Sequence, residues 1–249
     1  MDTDVLVVGA GVAGLTAATY TARAGLDTTV VSEGEPIVAR NANLENVPGF
    51  PLGVNARTFL DLCREGATES GAALAEGRVT RVEPTEEGFL VRTADGTDRT
   101  ARFVVAASWS DSSYLDEVEA VGLTRRGSKT YVDTDDFGRA GPDGLYAAGR
   151  LAEKPHQVAV CAGHGAEVAL TVIEDSDTPY YHDWVAPEGY FTERGREVPP
   201  GCEEIDDEER REREARATER MREAFAEPQS EAPTMHPSVV AAREEEGGE

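Results

Sequence analysis

The chain has 249 residues, of which 39% are hydrophobic, and its formal net charge is −24 at pH 7. This length is compatible with one large domain or with one domain plus extensions, and the negative charge argues against nucleic acid as a partner. No run of residues is apolar for long enough to span a membrane, so we expect no membrane partner.

Acidic residues are dispersed through the chain, whereas lysine occurs only as Lys129 and Lys154. An acidic, lysine-poor surface suits a salt-rich cytoplasm, where counterions screen the repulsion between carboxylates. We therefore expect a halophilic protein of the haloarchaeal type. The alternative is an ordinary acidic protein that carries a charged tail.

The first element in chain order is an apolar run at residues 5–8, which leads directly into a Gly-x-Gly-x-x-Gly turn of Gly9, Gly11 and Gly14. Such a run is typical of a strand buried on both faces of a parallel sheet, and the turn predicts a helix over residues 15–24. In a dinucleotide site, Gly11 leaves room for a pyrophosphate and Gly14 lets the helix lie close to the sheet. The alternative is a glycine turn that serves packing alone.

Glu33 supports the dinucleotide site. It follows a second predicted strand at residues 28–31, and it lies where an acidic side chain accepts hydrogen bonds from the ribose hydroxyls.

Because the glycine turn begins a few residues after Met1, we expect no leader segment and a cytoplasmic protein.

Turn signals and apolar patterns predict the elements that follow. A loop spans residues 43–51, and Asn55 is the expected N-cap of a helix over residues 54–70. The further predictions are strands over residues 73–75 and 77–84, a hairpin of residues 89–93 and 100–107, a strand over residues 145–149, and a helix over residues 158–174 whose Gly163 and Gly165 allow close backbone approach. The isolated Cys63, Cys161 and Cys202 predict neither a local redox dithiol nor a zinc knuckle.

Three segments together carry a family resemblance: the opening glycine turn, Glu-Asn-Val-Pro-Gly-Phe-Pro at residues 45–51, and Gly-Leu-Tyr-Ala-Ala-Gly at residues 144–149 followed by residues 157–165. Their order and spacing resemble thioredoxin reductases and related small pyridine nucleotide-disulfide flavoproteins over most of residues 4–174. The resemblance implies an α/β, Rossmann-like FAD/NAD(P)-binding domain with a parallel central sheet and a β-hairpin or meander insertion, and FAD as the cofactor.

One part of that family's architecture is expected to be missing. In the family, an NADPH domain is inserted between the two halves of the FAD domain. Here residues 100–107 are followed almost at once by residues 122–133, which resemble the approach to the last FAD strand. We therefore expect neither an NADPH domain nor the family's Cys-x-x-Cys pair.

The resemblance also implies a set of cofactor-binding residues. The glycine turn holds the pyrophosphate, Asn46 lies near the flavin ring, and Val79 offers backbone groups to the adenine. Gln157 and Val158 place a helix N-terminus against the pyrimidine edge of the flavin, where the helix dipole stabilises negative charge. The full set is Gly9, Gly11, Val12, Ala13, Gly14, Glu33, Asn46, Val79, Ala107, Gly149, Arg150, Gln157 and Val158.

Three departures from the family pattern leave alternatives open. Arg150 stands where the family has Asp, Ala-Ala-Ser at residues 106–108 replaces Ala-Thr-Gly, and Pro-Ile-Val at residues 36–38 replaces Gly-Gly. Arg150 has a geometry that suits a pyrophosphate, so it is a candidate for pairing with that group. The alternative is a flavin site that binds weakly or not at all. No catalytic residue stands out: His156 and His164 flank the flavin helix, and a packing or capping role is the stronger reading for both.

The sequence predicts four parts. These are an FAD-binding domain over residues 1–175, an aromatic docking extension over residues 176–205, a charged helix over residues 206–226 and a disordered tail over residues 227–249. The aromatic extension is expected to dock on the domain or on a second copy, so a homodimer stays open.

The leading functional prediction is an FAD-binding oxidoreductase that is reduced by an external electron donor or a redox partner protein. The first alternative is a non-catalytic binding or assembly protein that keeps the dinucleotide fold with a degenerate flavin site. A narrower alternative replaces FAD by NAD(P).

Overall fold

A computed structural model describes residues 1–246. Its centre is a seven-stranded sheet with the order β3-β2-β1-β6-β5-β4, in which β9 also pairs with β6. The strands are β1 (Thr3–Val8), β2 (Thr28–Ser32), β3 (Ala73–Glu76), β4 (Val79–Thr85), β5 (Gly88–Thr93), β6 (Asp98–Ala106) and β9 (Leu145–Ala147). The predicted α/β fold with a parallel central sheet is confirmed.

Strand β6 joins the parallel and antiparallel parts of this sheet. Its first half pairs antiparallel with β5, where Phe89 lies opposite Ala101. Its second half pairs parallel with β9, where Val105 lies opposite Tyr146, while β1 runs parallel along its other side. The first half of β6 therefore belongs to the antiparallel meander with β4 and β5, and its second half belongs to the parallel part of the sheet.

Three helices cover one face of the sheet. They are α1 (Val12–Arg23), α2 (Ala56–Glu69) and α3 (Val158–Asp175). Strand β1 separates the two apolar cores, because Val5 and Val7 belong to the core under the helices while Leu6 and Val8 belong to the core on the opposite face. Alternate side chains of a strand point to opposite faces, so this continuous apolar run is buried on both sides.

Helix α1 begins three residues earlier than predicted. Its N-cap is Gly11, so Gly14 lies inside the first turn of the helix. A Cβ on Gly14 would lie 2.0 Å from the carbonyl oxygen of Gly9, which confirms that this glycine permits the close approach of helix and turn. Glycine has a low helix propensity, so the sequence alone does not show that Gly14 lies inside the helix.

Two glycines of α3 differ in what they do. A Cβ on Gly165 would lie 2.3 Å from the carbonyl oxygen of Ala13, so this glycine lets α3 cross α1 closely. A Cβ on Gly163 would meet nothing within 4 Å, and the prediction that Gly163 also serves close approach is wrong. The two residues lie on different sides of one helix, since positions two apart do not share a face.

Helix α2 has the N-cap that the sequence predicts. The side chain of Asn55 accepts a hydrogen bond of 3.0 Å from the backbone N–H of Arg57.

The strand predicted over residues 145–149 ends early, at Ala147, because the chain turns into a short 3₁₀ helix over Gly149–Ala152. Another 3₁₀ helix, Ile37–Arg40, lies in the segment that departs from the family pattern.

A two-stranded antiparallel ribbon, β7 (Leu123–Arg126) and β8 (Lys129–Val132), lies between β6 and β9 in the chain. Residues 107–122 connect β6 to this ribbon, with one short 3₁₀ helix at Ser113–Leu115.

Residues 176–205 contain two short parallel strands, β10 (Trp184–Pro187) and β11 (Cys202–Ile205). Tyr180 packs against the core under the helices, and the Nη2 atom of Arg23 lies 2.7 Å from Oδ1 of Asp183. Trp184 makes edge contacts with the rings of Tyr190 and Phe191.

The last two helices are α4 (Asp207–Ala224) and α5 (Pro237–Glu246). Arg220 of α4 contacts Glu65 of α2 at 2.6 Å, and Phe225 packs against Phe50 with 6.1 Å between ring centroids. Helix α5 differs from the predicted disordered tail over residues 227–249. Pro237 occupies the first helical turn, where proline is tolerated, and the strong helix formers Ala, Arg and Glu fill the second half of the helix. Residues 247–249 of that prediction lie outside the described residues. None of the helices over residues 1–246 is both long and apolar enough to cross a membrane.

Candidate functional site

A cavity of about 910 Å³ lies at the carboxyl ends of β1, β2 and β6. In parallel α/β sheets, ligands bind outside these strand ends, where the strand order changes direction. Eleven of the predicted cofactor-binding residues line it, and they are Gly9, Gly11, Val12, Ala13, Glu33, Asn46, Val79, Ala107, Arg150, Gln157 and Val158.

The N-terminus of α1 faces this cavity without a side-chain cap. Gly11 is its N-cap, no side chain accepts from the first turn, and that turn contains no acidic residue. The first N–H groups of a helix lack intrahelical acceptors and carry the positive end of the helix dipole. A Cβ on Gly11 would meet nothing within 4 Å, so the space in front of these donors is open. The arrangement fits an anionic pyrophosphate.

Gly14 and Gly149 do not line the cavity, and both pack behind its wall. A Cβ on Gly149 would lie 2.6 Å from Cβ of Ala13 in the first turn of α1. The N–H of Gly149 donates to Nδ1 of His164 at 2.9 Å. The structure thus gives Gly149 a role in bringing the end of β9 against α1, and it sets the position of Arg150.

Glu33 and Val79 lie on the part of the wall nearest β2 and β4. Glu33 follows β2 and is exposed, while Val79 begins β4 and is buried. Arg78, which lies between Gly77 and Val79, also lines the cavity and pairs with Asp111 at 3.8 Å. An exposed carboxylate with open space beside it is able to accept hydroxyl hydrogen bonds from a ribose.

Asn46 and Gln157 meet at the other end of the cavity. Nδ2 of Asn46 donates to Oε1 of Gln157 over 2.7 Å. Gln157 is the N-cap of α3, yet no side chain caps this helix and its first turn contains no acid. A second uncapped helix N-terminus therefore faces the cavity, and it favours negative charge near Val158.

Arg150 lines the cavity and is held by uncharged groups. Its Nη2 donates to the hydroxyl of Tyr131, its Nη1 donates to the carbonyl of Lys154 at 3.1 Å, and its guanidinium lies 4.6 Å from the centroid of the Tyr131 ring. Among the side chains that the structure describes, no carboxylate forms an ion pair with Arg150. Its charge is therefore available to an anionic group in the cavity.

The two histidines near α3 have different environments. His164 is buried and accepts from Gly149, and burial together with the charge of Lys154 lowers its pKa to about 4. It is neutral at pH 7 and acts as a structural acceptor. His156 lines the cavity, and burial followed by the charge of Arg150 lowers its pKa.

Trp109 and Cys161 line the cavity but were not assigned to the site from sequence. Trp109 lies three residues after the end of β6, and its ring makes an edge contact with the His156 ring at a centroid distance of 4.1 Å. The position of Trp109 just beyond the carboxyl end of a parallel strand is a signal that could have identified it. Cys161 lies in the first turns of α3, and burial raises the pKa of its thiol. It is therefore not poised as a thiolate nucleophile.

Comparisons with known proteins find one family match and several relatives. Residues 4–45 match the family described as FAD binding domain. The thioredoxin reductase of Aquifex aeolicus is 36% identical over 107 residues, which are 42% of this chain and 33% of that protein. The thioredoxin reductase of Listeria monocytogenes is 35% identical over 126 residues, which are 50% of this chain and 39% of that protein. The chain thus spans less than half the length of these relatives.

Solved structures agree in fold. Thioredoxin reductase from Lactococcus lactis aligns with a TM-score of 0.63 and 14% identity, covering 70% of this chain and 98% of that one. An oxidoreductase from Agrobacterium tumefaciens aligns with a TM-score of 0.64 and 15% identity, covering 71% of this chain and 99% of that one. The sequence matches and the geometry of the cavity together imply FAD as the cofactor, and they support a thioredoxin reductase-like chain.

Proposed function

We propose that this chain is an FAD-dependent oxidoreductase whose flavin is reduced by an external donor or a redox partner protein, and not through an NADPH domain of its own. The observation that carries the proposal is the connection of β6 to β7 by residues 107–122 alone. In thioredoxin reductases this is where the NADPH domain is inserted. Residues of this short connection, among them Trp109 and Asp111, form part of the cavity wall, so the proposal places the approach of the electron donor beside them.

Within this proposal, the chain binds and orients the cofactor. The N-terminus of α1 and Gly11 hold the phosphates, Glu33 accepts ribose hydroxyls, and the N-terminus of α3 favours negative charge on the cofactor. FAD, when bound, supplies the transfer of electrons. The preorganised backbone donors do not need to move when that charge develops, which is the contribution expected of a protein scaffold.

The arrangement of cysteines also supports an external redox partner. Cys63, Cys161 and Cys202 are free in the structure, and no two of them form a Cys-x-x-Cys pair in the sequence. A thiol whose pKa is raised, as in Cys63 and Cys161, is a poor nucleophile at neutral pH. Electrons would therefore leave the flavin to another molecule and not to a dithiol of this chain.

We also propose that the protein is halophilic and works in a salt-rich cytoplasm. The net charge of −24 and the presence of only two lysines support this proposal.

We further propose that residues 176–205 are a docking extension that folds with the rest of the chain. The aromatic rings of Trp184, Tyr190 and Phe191 pack on one another, which supports this proposal.

Anaerobic reduction of the FAD-loaded protein in molar salt tests the proposal. We expect dithionite to bleach the flavin absorbance fully, and NADPH to bleach it at a rate at least a hundredfold slower than it bleaches a two-domain thioredoxin reductase assayed in parallel. Gly11→Val is the control that removes the flavin signal. Rapid NADPH-dependent reduction of a disulfide substrate by this chain alone would contradict the proposal. A folded protein that refuses FAD would instead favour a non-catalytic assembly role.

A further inference from the structure

Residues 33–46, which we call the wall segment, form one side of the cavity from the end of β2 to Asn46. Twelve of these fourteen residues line the cavity. Their regular structure consists of the 3₁₀ helix Ile37–Arg40 and the pairing of Leu44 with Val54, whose backbone hydrogen bonds measure 2.8 and 2.9 Å. A stretch with so few backbone hydrogen bonds of its own keeps one shape only where other elements hold it.

Arg57, in the first turn of α2, holds the middle of the wall segment. Its Nη1 donates to the carbonyl oxygen of Ala39 at 2.9 Å and to that of Asn41 at 3.5 Å. Arg57 is only 6% exposed, and it does not belong to the cavity lining. It therefore lies behind the wall segment, and it acts on a ligand through that segment.

Arg57 also brings a positive charge into the interior, because a guanidinium stays charged in proteins. Among the side chains that the structure describes, no carboxylate forms an ion pair with Arg57, and its Nε has no hydrogen-bond partner. Burial of an unpaired charge is costly. An anion on the cavity side of the wall segment lowers this cost, since opposite charges attract more strongly where the dielectric constant is low.

The wall segment itself is acidic. It contains Glu33, Glu35 and Glu45, all exposed, and Arg40 is its one basic residue. The pyrophosphate of a dinucleotide is anionic, so these carboxylates disfavour its approach. The charge of Arg57 behind the segment offsets part of this repulsion. Because that charge is buried, salt screens it less than it screens the exposed carboxylates.

We propose that Arg57 is a positioning residue for the dinucleotide cofactor. Through its two carbonyl contacts it holds the wall segment in the shape that receives the cofactor, and its buried charge favours the anionic phosphates. This inference rests on the proposed function, because the cofactor is the FAD of that function. It gives a role in the site to a residue that lies outside the cavity lining.

The affinity for FAD, measured in molar salt by quenching of flavin fluorescence, tests the inference. Arg57→Met removes the charge and both contacts but keeps an apolar side chain that suits a buried position. We expect it to raise the Kd for FAD at least tenfold, in the range of about 10- to 100-fold that follows from loss of a charged hydrogen-bond donor. Arg57→Lys should bind within about threefold of the wild type, since one nitrogen makes both contacts and an ammonium is able to replace it.

Arg64→Met is the matched control. Arg64 lies on the same helix and pairs with Asp61 at 2.9 Å at the surface. Its replacement changes the net charge as Arg57→Met does, and it should leave the Kd for FAD within about twofold. Circular dichroism confirms that the variants fold, and Arg57→Gln, which is also neutral, repeats the test if Arg57→Met does not fold.

Trypsin cleavage after Arg40 gives a second readout that does not depend on FAD. Arg40 is exposed within the wall segment, and Arg126, exposed at the end of β7, serves as the internal reference. In the cofactor-free protein, we expect Arg57→Met to raise the rate of cleavage after Arg40 at least tenfold relative to cleavage after Arg126. The reason is that the wall segment opens more often when its middle is not held. Arg57→Lys should restore most of the protection.

The outcomes separate this inference from the proposed function. A Kd for Arg57→Met within twofold of the wild type, an equal loss in Arg64→Met, or unchanged cleavage after Arg40 would overturn the inference while FAD binding stays as proposed. An Arg57→Lys variant as weak as Arg57→Met would also overturn it, because the effect would then come from packing. If the wild type takes up no FAD, the proposed function fails, and cleavage after Arg40 still shows whether Arg57 holds the wall segment.

Discussion

The side-chain amide of Asn46 is hydrogen-bonded to the side-chain oxygen of Gln157, 111 residues further along the chain, over 2.7 Å. This contact joins the loop between the first 3₁₀ helix and α2 to the N-cap of α3. Because both residues line the cavity, the bond joins two parts of its wall at the N-terminus of α3. Neither residue caps α3 with its side chain, so the helix N–H groups stay available to a ligand.

Breaking this bond should weaken FAD binding without unfolding the protein. We expect Asn46→Ala and Gln157→Ala each to raise the Kd for FAD up to about tenfold, since a net hydrogen bond contributes about 0.5–1.5 kcal/mol. The double variant should be little worse than either single variant, because both remove the same interaction. Quenching of flavin fluorescence measures the three affinities, and Gln229→Ala is a control outside the cavity. Additive losses would show that the two side chains do not act through each other.

The glycine turn separates cofactor binding from folding. At Gly11 the φ of −77° is open to any residue and a Cβ would meet nothing, so Gly11→Val should fold normally yet lose FAD. At Gly14 a Cβ would lie 2.0 Å from a backbone oxygen, so Gly14→Ala should lower the melting temperature. Gly163→Ala is the control: it should keep FAD and stabilise α3 by up to about 1 kcal/mol. Circular dichroism and flavin absorbance distinguish the three results. Full FAD occupancy in Gly11→Val would place the pyrophosphate elsewhere.

Glu204 should make the stability of residues 176–205 depend on pH. Its side chain accepts from the backbone N–H groups of Gly189 and Thr192, each at 3.0 Å, and also from that of Phe191. Burial alone would raise the pKa of Glu204, but these hydrogen bonds outweigh burial and lower it from about 4.5 to about 2.

A carboxyl with a lowered folded-state pKa contributes stability that is present above its unfolded pKa and is lost as pH falls. We therefore expect residues 176–205 to lose stability progressively as the pH falls from about 4.5 to about 2. Trp184 fluorescence follows the loss, because Trp184 packs within this segment. Glu204→Gln should be less stable at pH 7 and should remove most of the change over that interval. If the Glu204→Gln variant lost stability over the same pH interval and by the same amount, groups other than Glu204 would be responsible.

Salt should stabilise the whole domain. Lowering the salt from 1 M to 0.1 M lengthens the Debye distance from about 3 Å to about 10 Å, so repulsions among dispersed carboxylates become active at a charge of −24. We expect the melting temperature to rise steadily with potassium chloride concentration, as followed by circular dichroism. A melting temperature that stays flat from dilute to molar salt would contradict the halophilic proposal.

The part of the fold nearest the N-terminus could be predicted because its sequence pattern has a specific physical meaning. Four apolar residues that enter a glycine turn require a strand buried on both faces, and the structure has it at Thr3–Val8. The same holds for Asn55, whose short side chain before an amphipathic segment indicates a helix N-cap.

Other features could not be predicted, because they depend on contacts between distant segments. Nothing local to Gly163 and Gly165 shows which of them faces Ala13. The short strands at Trp184–Pro187 and Cys202–Ile205 pair in parallel across a long connection, and runs of four residues give too little periodicity to indicate a strand. Arg57 is a further case: its guanidinium is buried and donates to the carbonyl of Ala39, a contact that secondary-structure patterns do not encode.

Within the site, the sequence identifies the residues that belong to recognisable motifs and does not identify the other residues that line the cavity. Gly11, Glu33 and Asn46 belong to sequence patterns whose spacing matches a dinucleotide site, and all three line the cavity. Trp109 and Cys161 belong to no such pattern. They reach the cavity only because β6 ends beside β1 and because α3 starts next to the end of β9.

The most direct test of the central proposal is the flavin content of the protein purified, or reconstituted with FAD, in molar salt. We expect one FAD per chain after denaturation and chromatography of the released cofactor, with an absorbance near the flavin maximum in the folded protein. We also expect excess NAD(H) or NADP(H) to leave this stoichiometry unchanged. A folded, colourless protein that takes up no FAD, or one that binds a nicotinamide dinucleotide in its place, would contradict the account.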